Sequence, residues 1–275
     1  MTEIHVETWA KFEAVAMAKL QRMADIGSES PYPMDPVLFR GQGESQWGLL
    51  PTLQRAMIQS ECTSAAYHRW MQIVHEDIAS ILGKEWNLDG VLNLGGFEVR
   101  GIEFMVYLRQ NGFPSPLLDW TRSPYIASYL AFCDTRPHVE RSGCVSIYTC
   151  EERPIEAEYE RPESGETDSP SMHTIGGCLT TDQKHHLQQC QYSICLRGER
   201  HDCSFADYPD EVIECNTRPC ILEKYTIPLS QQKEVLKRLQ LMNITAFSLF
   251  GTEAALVESL AIREMFLELE LANLG

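Results

Sequence analysis

The chain has 275 residues, 44% of them hydrophobic and 23% charged, a balance that supports a buried core and excludes a disordered polymer. Its 39 acidic side chains against 23 basic ones leave a net charge of −16, which excludes a generic basic coat for nucleic acid. No run approaches the roughly 18 apolar residues of a membrane-spanning helix, and Met1-Thr2-Glu3-Ile4-His5 has neither the basic start nor the apolar core of a signal peptide, so a soluble, cytoplasmic protein is expected.

The first predicted element is a helix from Trp9 to Ile26 within an N-terminal segment 1–30, because Trp9, Phe12, Ala16, Leu20 and Met23 recur at three-and-four spacing. After the break Gly27–Pro33, Val37 to Gly43 reads as a strand running into a glycine turn. Helices are predicted over Ala65–Leu82 and Phe97–Gln110, the second stopped by Asn111-Gly112 and Pro114. A strand over Pro116–Thr121 follows, and then a helix with Ser123 as its cap and Pro124 in its first turn, where a missing N–H costs nothing.

Gly143–Cys150 is a further strand by its β-branched and aromatic content. Residues 151–182 turn rich in Glu, Pro, Ser and Gly and read as a long acidic loop or insertion without core. Beyond it come strands over Gln191–Arg197 and Cys220–Ile227, a helix from a Ser230 cap to Leu241, a strand over Ala246–Phe250 and a last helix near Thr252. The ten cysteines lack close metal-ligand pairs, the nearest being Cys190 with Cys195, Cys215 with Cys220 and His201 with Cys203; reduced thiols and no metal are expected.

Phosphate-loop, zinc-protease and serine-hydrolase signatures are absent. Arg40 beside Gly41-Gln42-Gly43 is either a guanidinium fork for a diphosphate or the partner of a structural carboxylate. Asp119, within an apolar strand, is either a partner carboxylate inside the fold or a site group, and Trp120 either stacks on a ligand ring or fills the core. His185 and His186, read as entering a strand, would point to opposite faces and so could not share a metal. Gln188 and Gln189 either bond loop backbone or orient a ribose, and Glu253 is either a first-turn acid or a site carboxylate.

Phe39-Arg40-Gly41-Gln42, with Leu117-Leu118-Asp119-Trp120-Thr121 before Ser123-Pro124 and small Ala127 and Ala131 on the next helix, resembles the FRG-domain family of bacterial proteins. Leu187 to Ser193, with its paired glutamines and Tyr192, and Ser248 to Gly251 followed by Glu253 and Leu256 extend the resemblance over about residues 35 to 265. The order of these pieces is also remotely similar to ADP-ribosyltransferases of the Arg–Ser–Glu type. That likeness implies a single α+β domain, 1–275, with mixed or antiparallel sheets flanked by helices.

It further implies NAD as co-substrate and no metal. Arg40, with Gly41 and Gln42, would hold its phosphates, and Thr121, with Asp119 and Trp120, would support the nicotinamide ribose. Gln188, Gln189 and Tyr192 occupy the strand where such enzymes carry Glu, which leaves Glu253 as the carboxylate to assist transfer, with Gln189 and Thr121 as the other catalytic residues. The implied function is a mono-ADP-ribosyltransferase-like toxin or antiphage defence protein. Its acceptor would be RNA or DNA slightly ahead of protein, met by Lys184, His185, His186, Arg197 and Arg200, and an inhibitory antitoxin would restrain it. The alternative is a non-catalytic nucleotide-sensing or protein-interaction domain, favoured by Gln where Glu is expected.

Overall fold

The computed structural model describes residues 1–29, 36–57, 62–133, 143–152, 170–175, 183–199, 203–208, 214–215 and 218–267. Strand β1 (Thr2–His5) opens the chain within the N-terminal segment, ahead of the helix expected from Trp9, and lies parallel against a strand more than 200 residues away in sequence. Helix α1 (Trp9–Glu29) then buries Trp9, Phe12, Ala16 and Met23. Strand β2 (Leu38–Gln42), helix α2 (Thr52–Ala56) and strand β3 (Cys62–Thr63) lead to helix α3 (Ser64–Leu82), which is capped by the Thr63 side chain and closed by Gly83 in the left-handed region.

The helix expected over Phe97–Gln110 starts later. Residues Val91–Leu94 and Phe97–Arg100 form a hairpin, β4 and β5, turned by Gly95 and Gly96 at positive φ, and Gly101 at φ 64° then starts helix α4 (Ile102–Gln110). Leu92 and Leu94 of β4 are more buried than Val91 and Asn93, an alternation of period two, and β5 pairs with β4 residue for residue, which overrides the helical reading. Strand β6 (Leu118–Thr121) is followed by helix α5 (Pro124–Phe132), whose Ser123 cap accepts from the Ile126 N–H as expected. Strand β7 (Cys144–Glu152) runs two residues into the segment read as a loop, and β8 (Ser171–Ile175) lies within it. Met172 and Ile175 are buried, so this segment does contribute core; 153–169 and 176–182 lie outside the described residues.

The paired histidines fall on a short helix, α6 (Gln183–Leu187), and not on a strand, since Gln189 at φ 50° turns the chain only afterwards into β9 (Cys190–Gly198). Strands β10 (Cys203–Phe205), β11 (Glu214–Cys215) and β12 (Arg218–Pro228) follow. Helix α7 (Gln232–Leu241) is entered through a tight turn at Leu229–Gln231 without the Ser230 cap. Ala246–Phe250, read as a strand, is a helix, α8: Thr245 and Ser248 form a reciprocal capping box and Gly251 closes it at φ 65°, local signals that outweigh a five-residue apolar run. Helix α9 (Glu253–Ala261) is capped by Thr252. None of the described helices is long and apolar enough to cross a membrane.

Strand pairing runs β9-β6-β2-β7-β12-β11-β8, and β8 pairs back with β9, so the ladder closes on itself. One buried cluster accordingly takes Leu38 from β2, Leu118 and Trp120 from β6, Tyr148 from β7, Met172 from β8, Cys195 from β9 and Leu222 from β12. No flat open sheet would bring a side chain from each of these strands to one place; this is the interior of the closed ladder. Outside it, α1, α5 and α7 cover β2, β7 and β12 through Phe12, Ala127, Phe132, Ile147, Tyr225 and Leu239. Helices α3 and α4 cover β9 and β10 through Tyr67, Met71, Phe104 and Ile194. Cys220 is disulfide-bonded, against the expectation of reduced thiols throughout, while Cys62 and Cys195 are free thiols.

Candidate functional site

Strands β2 and β6 meet at a single register pair, Phe39 with Thr121. From there β2 follows β7 and β6 follows β9, and the two strands part. A cavity of about 340 Å³ is lined by residues of both strands together with α4, α5, the turn before β9 and Phe250 of α8. The local sequence explains why the walls approach so closely. Gly41 lies inside β2, not in a turn beyond it, and a Cβ built on it would stand 1.9 Å from the Ala127 carbonyl oxygen of α5. The glycine therefore serves helix-on-strand packing, with Ala127 and Ala131 as its small counterparts.

Phe39 goes into the outer core beneath α5, so its neighbour Arg40 emerges on the opposite face of the strand. The Arg40 guanidinium donates from Nη1 to the Asp119 carbonyl at 2.6 Å and stands 3.9 Å from Asp119 Oδ2. That same carboxylate oxygen is hydrogen-bonded by Nη2 of Arg109, on the last turn of α4. Burial lowers the Arg40 pKa from its ordinary value and Arg109 adds to the effect, while Asp119 opposes both. The two guanidinium side chains are 12% and 16% exposed and Asp119 is 38% exposed, so the carboxylate is the more open member. The Nε atoms of both arginines are buried and lack a partner. Two fixed cations thus share one carboxylate, and the surplus positive charge beside the cavity suits an anion.

The other candidate residues divide between wall and scaffold. Thr121 lines the cavity, but its hydroxyl donates to the Gln188 carbonyl at 2.7 Å and accepts from the Ser123 N–H at 3.1 Å, holding the turn before β9 to the start of α5. Gln188 also lines it and donates from Nε2 to the Leu249 carbonyl, tying that turn to α8. Tyr192 forms the far wall, its hydroxyl accepting from Gln110 Nε2 at 2.9 Å and its ring stacked on His185. Trp120 is 2% exposed; its indole donates to Ser193 Oγ inside the ladder, so the ring is core.

Gln42 turns away from the cavity and donates to the Gly48 carbonyl. Gln189 is exposed and outside the lining, and so is Glu253, which sits in the first turn of α9 and not at the end of a strand. Of the expected basic cluster, Arg197 lies seven residues along β9 from Cys190, roughly 23 Å at 3.3 Å per residue, and so away from the cavity end of that strand. The side chain of Lys184, and Arg200 altogether, lie outside the described residues.

Sequence reasoning missed Arg109 and Gln110. Both occupy the end of a helix just ahead of Asn111-Gly112, where a cation is ordinarily credited to the helix dipole, and no linear spacing ties Arg109 to Asp119.

In comparisons with known proteins, the model of the FRG domain matches residues 35–140, a span that holds Arg40, Arg109 and Asp119. Nothing among the curated proteins and no solved structure matches the chain.

Proposed function

We propose that this FRG-domain chain is an ADP-ribosyltransferase-like protein that binds NAD in the Arg40–Asp119 cavity and modifies a macromolecular acceptor. The observation that carries the reading is the buried Arg40 guanidinium, with an unpartnered Nε, at a cavity whose volume falls within the range of about 300–1,000 Å³ usual for small-molecule sites. These features fit the diphosphate of a dinucleotide. NAD would supply the ADP-ribosyl group, with nicotinamide as the group that leaves.

Arg40 would neutralise the phosphate oxygens, and Phe39, Ile126, Leu130 and Phe250 would shield the bound molecule from water. Asp119 is the one carboxylate among the cavity-lining residues. It would stabilise positive charge developing on the ribose and take the proton of the acceptor, in the place first given to Glu253. The distance of Arg197 from the cavity end of β9 and the net charge of −16 favour a protein acceptor in this reading over a nucleic acid. A toxin or defence role, with an inhibitory partner protein, belongs to this reading.

A second reading, a nucleotide sensor without turnover, is favoured by two observations. Glu253 and Gln189 stand outside the cavity, and the Thr121 hydroxyl and Gln188 amide are committed to backbone groups. Nicotinamide release separates the two. The transferase releases it in proportion to label transferred and arrests growth on expression; the sensor binds NAD, releases none and leaves growth unchanged.

A further inference from the structure

We infer that Arg109 is a second ligand-binding cation of this cavity and that, with Arg40, it selects a diphosphate over a single phosphate group. The inference rests on the reading of the cavity as a phosphate site but not on NAD being the occupant. Three observations carry it. Arg109 and Arg40 approach the same Asp119 carboxylate oxygen from two elements, α4 and β2, so their guanidinium groups converge on one side of the cavity as two separate forks. Each retains a buried Nε without a partner, so neither fork is saturated by Asp119. Both line the same cavity, which holds no cation besides them among its lining residues.

A lone buried guanidinium paired with a lone carboxylate is balanced; a second one is not, and its desolvation needs a further negative charge. Two forks presenting donors from two elements match two adjoining phosphoryl groups, each held by charge-assisted hydrogen bonds. A single phosphate satisfies one fork and leaves the other facing Asp119 alone. In this arrangement Asp119 weakens phosphate binding by its own charge, a cost consistent with a carboxylate kept for chemistry rather than affinity.

The test is calorimetric titration of inorganic pyrophosphate, orthophosphate and NAD, at one fixed salt concentration, into the full chain and into Arg109→Gln, Arg109→Lys and Asp119→Asn. Thermal melts confirm that each variant folds. The proposal expects pyrophosphate to bind at least about tenfold tighter than orthophosphate, and Arg109→Gln to weaken pyrophosphate by roughly ten- to a hundredfold. Arg109→Lys should recover part of that loss, since the charge stays and the fork goes. Asp119→Asn should tighten it. Folded Arg109→Gln with unchanged pyrophosphate affinity, equal binding of the two phosphates, or weaker pyrophosphate binding by Asp119→Asn would overturn the inference. Pyrophosphate held through Arg109 without NAD binding would retain the inference and remove NAD; NAD bound equally by every Arg109 variant would do the reverse.

Discussion

Replacing Gly41 by alanine places a methyl group against the backbone carbonyl of Ala127 and close to the Ala131 N–H, neither of which can rotate away. The expected loss is about 3 kcal/mol or more, read as a fall in the urea midpoint, with α5 lifted from β2. Thr121→Val removes a donor to Gln188 and an acceptor for Ser123 at once and should cost about 1–3 kcal/mol, whereas Thr121→Ser should lie close to the parent. The Cys195 thiol, pushed up to about 12 chiefly by burial, should resist alkylation at neutral pH until the chain unfolds, and rapid labelling of the native protein would contradict its place inside the ladder. At this scale Arg40, Gly41, Asp119 and Thr121 are legible as a group. Their division of labour is not, because only the tertiary packing brings Gly41 against α5 and commits the Thr121 hydroxyl to backbone.

Elements with strong local signals are legible in the sequence with little error: α1 from its stripe and α5 from Ser123 and Pro124. Ala246–Phe250 was misread because five apolar residues carry no period, and the capping box at Thr245 and Ser248 was the signal overlooked. β1 had no local signal at all, since its partner is β12. The link between α1 and the sheet gives a pH prediction. Burial raises the Glu223 pKa, but hydrogen bonds from Lys19, Tyr225 and Thr149 and the charge of Lys19 outweigh it, so the value falls below its ordinary 4.5. A lowered folded pKa means that the stabilisation is present above about pH 4.5 and is lost as pH falls through the folded value. Melting temperature should therefore drop on acidification below that point, and less steeply in Glu223→Gln; identical acid profiles would contradict the pairing.

The whole molecule is a closed ladder with helices packed outside it, and that closure could not be read from the chain because β8, in the segment taken for a coreless loop, supplies the strand that joins β11 to β9. Closure fixes β6 against β9 while β2 follows β7, and the parting of β2 from β6 is what leaves room for Arg40, Asp119 and Arg109. In the proposed function this cavity binds NAD through Arg40. Titration of NAD into the full chain and into Arg40→Ala, each confirmed folded by its melt, tests it most directly. Saturable binding by the parent that falls by roughly ten- to a hundredfold or more in Arg40→Ala is the predicted result. No binding by the parent, or equal binding by Arg40→Ala, would contradict it.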